Sequence, residues 1–376
     1  MKFIDLFAGI GGFRFGMESA GHECVAFCEI DKFARASYKA IHNTEGELEL
    51  HDITQVTDEE IRNIGHVDVI CGGFPCQAFS IAGHRRGFED TRGTLFFEIA
   101  RFAAILKPKY LFLENVKGLL NHDKGNTFEV ILSALDELGY DVEWQVLNSK
   151  DFGVPQNRER VFIIGHLRGQ RGRKIFPIGG NGAPIDCEQP KINKVGNIRK
   201  KGKSQSRDVV SVDSLAPTLC STTTQKDQLK ILLAGNLPGS HEQNGRVYDI
   251  NGISPTLNTM QGGGRQPKIR VREATKKGYA EASVGDSVNL SHPNSKTRRG
   301  RVGEGIANTL VTGDSQGVVT PNFRIRKLTP IECWRLQGFP DWAFDKAQEV
   351  NSNSQLYKQA GNSVTVNVIK EIARYL

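Results

Sequence analysis

Phe3-Ile4-Asp5-Leu6-Phe7 is an apolar run of strand length that empties directly into Ala8-Gly9-Ile10-Gly11-Gly12. The chain repeats that alternation up to residue 167. Short β-rich runs at 3–7, 24–30, 67–71, 110–116, 143–147 and 160–166 alternate with amphipathic stretches near 12–20, 31–42, 93–106 and 126–138. Strands separated by helices of this length predict an α/β fold with a Rossmann-like, doubly wound parallel sheet. In such sheets ligands gather beyond the carboxyl ends of the strands, so the residues that end each run are the first candidates for function.

The glycine turn lets backbone approach a ligand, because residues without a Cβ leave room and accept left-handed dihedrals. It is not a dinucleotide fingerprint. Counted from Gly9, the third glycine position of G-x-G-x-x-G holds Arg14, which disfavours a pyrophosphate ligand. Glu29 ends the second run, placed to accept from ribose hydroxyls, and Asp52 follows a candidate third strand, placed to accept from an adenine amino group. Adenosine without phosphates fits this set, and S-adenosylmethionine is the common cofactor of that kind. The same glycines also serve as ordinary strand-to-helix turn chemistry.

Charge divides the chain. From Arg168 to Lys327 there are 27 Lys/Arg against 12 Asp/Glu, and the remainder holds 22 against 30, so the overall +7 conceals a basic block in an acidic frame. The block is rich in Gly, Ser, Thr, Asn and Gln and poor in helical periodicity. We read 168–349 as a smaller β/loop-rich domain with a hinge. The first unit, 1–167, is rejoined by 350–376, where Val364, Val368, Ile372 and Tyr375 fall at helical spacing. A basic β/loop surface suits phosphates and equally suits solvent. Within the block a phrase recurs at Leu215–Leu219, Ile253–Leu257 and Ile306–Leu310, the last two each preceded by Gly-Arg-Val. These read as turn-and-strand modules whose loops either probe a groove or merely connect hairpins.

With 38% apolar and 24% charged residues, the balance is that of a globular chain. The most apolar windows are strand-sized, whereas a membrane span needs about 20 apolar residues. Asp5 interrupts the start where a signal peptide needs an unbroken apolar region, so a cytoplasmic chain is expected. Seven cysteines, an odd number without repeating spacing, do not suggest a disulfide framework. Cys24 and Cys28 lie four apart, yet no second Cys/His pair answers them, and no metal is expected.

Three segments converge on one rim of the expected sheet. Asp68–Gln77 is a strand opening into a loop, with Cys71 inside the apolar run as a packed small hydrophobe and Cys76, after Pro75, in a position to react. Tyr110–Leu113 ends in Glu114-Asn115-Val116. Pro155–Arg160 supplies Arg158 and Arg160 just before another strand. A thiol, a carboxyl group and two guanidinium groups thus meet.

These segments closely resemble the DNA (cytosine-5) methyltransferases of bacterial restriction-modification systems. The likeness is carried, in order, by Asp5–Gly12, Gly73–Gln77, Glu114–Val116, Gln156–Arg160, Arg326–Pro330 with Leu336–Pro340, and Gly361–Val364. It spans nearly the whole chain outside the basic block, and six motifs in one order are far more specific than any one. The resemblance implies an S-adenosylmethionine-dependent methyltransferase domain joined to a target-recognition domain. Cys76 would add to C6 of a cytosine, Glu114 would donate a hydrogen bond to N3, and Arg160 would hold O2 and, with Arg158, favour the thiolate. The stacked base would have to leave the duplex. By the same resemblance Phe7, Gly9, Ile10, Gly11, Glu29, Ile30, Asp52, Ile53, Pro75, Leu95, Asn362 and Ser363 would surround the cofactor, which leaves as S-adenosylhomocysteine. Family members often carry tryptophan where this chain has Ile30, so adenine would pack here on an aliphatic side chain.

The resemblance also implies double-stranded DNA as partner, a monomer, and a companion restriction endonuclease. Residues 77–92, with Arg85 and Arg86, look like the loop that family members close over DNA; an ordinary basic connection would also look so. Gln243 and Arg246, with Thr256, resemble one family branch's recognition segment, and Arg301 with Thr309 offers a rival alignment. An RNA cytosine methyltransferase of the same fold would use the same cysteine and acid, and the long basic insert argues instead for reading a duplex. A silent DNA-binding relative would lack Cys76 or Glu114, and both are present.

Overall fold

The computed structural model describes residues 1–75, 95–170, 174–178, 268–292, 295, 297–313, 315–321 and 324–376, together with the backbone of four short strands between 194 and 248. The first unit contains β1 (Lys2–Leu6), β2 (Glu23–Cys28), β3 (Leu48–Leu50), β4 (Val69–Gly73), β5 (Tyr110–Val116), β6 (Tyr140–Asn148), β7 (Gln156–Asn157) and β8 (Glu159–Leu167). All but β7 form one sheet in the order β3-β2-β1-β4-β5-β8-β6. Helices α1 (Gly12–Ser19), α2 (Lys32–Ile41), α3 (Asp58–Asn63), α4 (Leu95–Leu106) and α5 (Asn126–Glu137) connect the parallel strands.

The expectation of an all-parallel sheet needs correction. Strand β8 runs antiparallel to both neighbours, β5 and β6, and the other pairs are parallel. The cause is the connection: residues 149–158 hold only a 3-10 turn, Ser149–Phe152, and β7. A parallel return needs a crossover of a dozen or more residues, usually a helix. The reversal brings the start of β8, with Arg160, level with Val116 at the carboxyl end of β5.

Strand side chains alternate between two apolar layers. Leu111, Leu113 and Ile163 face Phe96, Ile99, Phe102 and Ile131 from α4 and α5. Tyr110, Phe112 and Ile164 share the other layer with Phe13 and Met17 of α1. That layer is completed by Val368, Ile369 and Ile372 of the terminal helix, α9 (Val366–Ala373). Helix α3 was missed in the sequence because its face is polar; only Ile61 is buried, and the helix begins with a capping box between Thr57 and Glu60.

A separate β-rich region follows. Strands β9 (Lys194–Asn197) and β10 (Asp208–Val210) pair with each other. Strands β11 (Leu233–Asn236), β12 (Arg246–Tyr248), β13 (Lys268–Arg272) and β14 (Tyr279–Ala282) form one four-stranded sheet. A second joins β15 (Ser287–Asn289), β16 (Val302–Gly303), β18 (Gln316–Val319) and β19 (Ile325–Lys327). Between β16 and β18 in sequence, β17 (Ala307–Asn308) leaves this region to pair with β7.

Helices α6 (Pro330–Leu336), α7 (Asp341–Val350) and α8 (Asn353–Asn362) then pack on the first unit. Trp334 is fully buried and shares a cluster with Ile10 of the glycine turn, Ile41 of α2 and Leu310. Helix α6 starts at a second capping box, Thr329 with Glu332, and has Pro330 in its first turn.

Candidate active site

The glycine turn takes left-handed dihedrals at Phe7 (φ 56), Gly9 (φ 57) and Gly11 (φ 84). A Cβ on Gly11 would overlap Nε2 of His42, so both dihedral and space demand glycine here. His42 is buried between Phe15 and Tyr38. Burial, helped by the Arg14 charge, pushes its pKa down to about 3.

Glu29 ties this turn to β2: its Oε2 accepts from Gly9 N and its Oε1 from Asp31 N, each at 2.8 Å. Burial raises its pKa against these hydrogen bonds. Asp52 uses Oδ1 for the amide and hydroxyl of Thr54, at 3.0 and 2.8 Å. Next to Glu29, Ile30 is 67% exposed, an apolar side chain left largely open. Two carboxylates with an exposed aliphatic side chain beside them fit an adenosine-type group.

Ile10 and Ile53, expected around the cofactor, have inward-facing side chains. Both are buried, Ile10 in the cluster that holds Trp334 and Ile53 in the main core of the sheet, which leaves their backbone for any such contact. Ser363 is buried against Gly12. Asn362 and Pro75 are exposed, and Leu95 is half-buried at the start of α4.

On the reactive rim, Glu114 lies at the carboxyl end of β5, 7% exposed. Arg160 Nε sits 2.9 Å from its Oε1, although that oxygen receives no well-aligned hydrogen bond. Burial raises the Glu114 pKa, and Arg160 and Arg158 oppose the rise. Asn115, which sequence reasoning quoted without a role, donates to Phe74 O at 2.8 Å and so pins the segment leading to Pro75. Cys71 is fully buried, and desolvation with the nearby Asp5 raises its pKa far out of range for a nucleophile. Cys76, Arg85 and Arg86 lie outside the described residues.

Arg158 acts on Glu114 through its charge, but its guanidinium makes its hydrogen bonds elsewhere. It is 3% exposed and donates to Ser363 O at 2.7 Å, Gly361 O at 3.2 Å and Leu310 O at 3.3 Å. Its guanidinium therefore holds backbone, a positioning task the sequence could not distinguish from catalysis. Arg301, 5% exposed, is turned inward as well: it donates to Asn289 O and Arg272 O within the β-rich region. Thr309 Oγ1 donates to Asn157 O at 2.7 Å. Arg246 lies in β12, of which only the backbone is described, and Gln243 and Thr256 lie outside the described residues. Gln156, Gln337 and Thr365, all buried, were missed as a group, because nothing in the sequence signals that distant polar side chains will meet.

Among the described residues no group of three His, Cys, Asp or Glu side chains is arranged to hold a metal, and no helix is long and apolar enough to cross a membrane.

An acid and an arginine meet at the carboxyl edge of a mixed α/β sheet that also carries a glycine turn, with a separate β-rich region in the chain, the layout of a group-transfer enzyme of the methyltransferase fold. The sequence matches the C-5 cytosine-specific DNA methylase family over residues 1–376. The chain belongs to this family and is a DNA (cytosine-5-)methyltransferase. It is 37% identical to the type II methyltransferase M.HhaI of Haemophilus parahaemolyticus, covering 99% of this chain and 93% of that one. It is 36% identical to the orphan methyltransferase M.SPRI of Bacillus phage SPR, covering 100% and 97%. The S. pombe Dnmt2 methyltransferase shares the fold with a TM-score of 0.52 at 17% identity, over 99% of this chain and 96% of that one.

Proposed function

We propose that this enzyme methylates C5 of one cytosine in a short duplex site, using S-adenosylmethionine and a transient covalent bond from Cys76. The observation that carries the reading is Glu114: a buried carboxyl group, its pKa raised by desolvation, beside Arg160 at the edge of the sheet.

Cytosine C5 is a poor nucleophile until the ring is opened to addition. The Cys76 thiolate adds at C6, breaking the 5,6 double bond and pushing charge toward N3. Protonated Glu114 donates to N3 and stabilises that charge, while Arg160 holds O2. When bound, S-adenosylmethionine supplies an electrophilic methyl group for C5. Loss of the C5 proton to water then expels Cys76 and restores the double bond. Glu29 and Asp52 would bind the ribose and adenine, with Phe7, Gly9, Ile10, Gly11, Ile30, Ile53, Pro75, Leu95, Asn362 and Ser363 around them. Attack perpendicular to the ring requires the base to be flipped from the stack, at a cost of a few kcal/mol.

The chain divides into a catalytic unit, 1–167 with 350–376, and a target-recognition region with hinge, 168–349. The packing of α6 and α7 on the first unit supports drawing the return nearer residue 330. Gln243, Arg246, Thr256, Thr309, Arg85 and Arg86 remain the DNA-contacting candidates. A monomer in the cytoplasm, paired with a cognate restriction endonuclease, follows the type II relatives. An orphan phage relative at 36% identity supports a chain acting without one, and self-cleavage of host DNA after loss of this gene would separate the two.

The test is covalent capture. Duplex containing 5-fluorocytosine, with methyl donor present, should leave a stable adduct on wild-type enzyme, mapped to Cys76, and none on Cys76→Ala. An adduct on another residue, or methyl transfer by Cys76→Ala, overturns the mechanism; transfer to tRNA and not to DNA overturns the substrate.

A further inference from the structure

We propose that Gln156 is a positioning residue that couples the seating of the Ala307–Leu310 segment to the placement of Arg158 and Arg160, so that turnover depends on how the recognition region is docked. The proposal rests on the methyltransferase reading above and deepens it.

Gln156 has no exposed surface. Its Oε1 accepts from Leu310 N at 3.1 Å, and its Nε2 donates to Leu336 O at 2.8 Å and reaches Gln337 Oε1 at 3.4 Å. One amide thus spans a segment of the recognition region and the end of α6. A buried amide bonded at both ends fixes the spacing of its partners, because leaving either group unpaired in the interior is unfavourable.

The contact extends along the whole arginine motif. Ala307 N donates to Pro155 O at 2.8 Å. Ala307 and Asn308 pair in parallel with Gln156 and Asn157, and Thr309 bonds Asn157 O. Leu310 is gripped twice, its N–H by Gln156 and its carbonyl by Arg158. Its side chain is buried in the cluster that contains Ile10 of the glycine turn. Gly361 lies so close to Val311 that a Cβ there would overlap the Val311 carbonyl.

From this grip the chain runs straight into β8 and Arg160, 2.9 Å from Glu114. The network also continues behind it: Gln337 Oε1 accepts from Thr365 Oγ1 at 2.9 Å, and Thr365 meets Ser149 at 2.8 Å. Of the three related phrases in the basic block, the third is therefore a strap across the motif that carries the arginines. A displaced strap would move Arg160 relative to Glu114, and misplacement of about 1 Å can cost about a hundredfold in rate.

The experiment uses the full-length enzyme with unmethylated plasmid DNA and tritiated methyl donor. Gln156→Leu should lower kcat about 10- to 100-fold while donor binding without DNA and plasmid binding each change by less than about threefold. Thr309→Val, a milder cut at the partly exposed end of the strap, should lower kcat by a smaller factor with plasmid binding again changed by less than about threefold; weaker plasmid binding in this variant would assign its loss to a DNA contact and overturn the strap reading of Thr309. The double variant should lose no more than Gln156→Leu alone, because both changes sever one linkage. Should Gln156→Leu be insoluble, Gln156→Glu, which keeps the acceptor for Leu310 N, takes its place in the same cycle. Multiplying losses, or a kcat loss matched by equal losses in donor binding and thermal midpoint, overturn the coupling. A wild-type enzyme that transfers no methyl group overturns the functional reading instead.

Discussion

At Glu114 two opposing effects meet in one carboxyl group. Burial favours the neutral acid, and the Arg160 guanidinium 2.9 Å away favours the anion; burial wins. Donation to N3 needs the proton, so kcat should fall on the alkaline side as Glu114 ionises. In Glu114→Gln that limb should vanish and kcat should drop about 10²- to 10³-fold, as a pH–rate profile of methyl transfer would record. Persistence of the limb in the variant would assign it to another group. His42 makes a different prediction. Its pKa is lowered from 6.5 to about 3, so the unfolded chain binds the proton more readily than the folded one. The stability this contributes is complete above pH 6.5 and is lost as pH falls toward 3, an effect on the order of a few kcal/mol. His42→Phe keeps an aromatic ring between Phe15 and Tyr38 and removes the titration. Denaturant unfolding at successive pH values should show a shallower acid decline in the variant than in the wild type.

At the scale of elements, how much of the fold could be read from the sequence depended on whether the signal was local. The runs at 3–7 and 110–116 matched β1 and β5 within a residue, because an apolar strand followed by a turn or a charge is decided by its own residues. The Thr329-Pro330-Ile331-Glu332 start of α6 is equally local, a capping box with proline in the first turn, although Thr329 and Pro330 were legible only as part of a family motif, with helix expected to return after residue 350. What could not be read was the antiparallel course of β8, fixed by the length of a connection, and the inward turn of Arg158 and Arg301. An arginine carries the same letter whether it grips carbonyls or phosphates. Of the rim, Glu114 and Arg160 were legible because strand ends carry chemistry; the amide network of Gln156 was not, since its partners lie far away in sequence. That network sets a test at this scale. Gly361→Ala inserts a methyl group into the Val311 carbonyl and should separate α8 from the strap, costing about 1–3 kcal/mol of stability by urea unfolding. A change within 0.5 kcal/mol, roughly the surface average, would mean the two backbones part easily.

For the whole molecule the governing quantity is the separation of charge: a basic block of 27 Lys/Arg against 12 Asp/Glu within a chain whose remainder is acidic. A duplex carries a dense line of phosphates, and each cation that neutralises one releases a counterion, so log affinity falls with log salt at about 0.9 per contact. The acidic remainder repels the same phosphates, so a duplex should be drawn to the basic block before any base is read. Replacing Lys200, Lys201 and Lys203 together with alanine should reduce the slope by up to about 3 if each meets a phosphate. It should leave kcat at saturating DNA unchanged, because the proposed mechanism gives none of them a role. Titrations of duplex by fluorescence anisotropy between about 50 and 200 mM salt would measure the slope. An unchanged slope would place this lysine cluster on solvent and shift the electrostatic footprint to the remaining arginines of the block. A lower kcat at saturation would instead make the cluster part of the step that delivers the base, binding the duplex in the form that turns over and not merely attracting it.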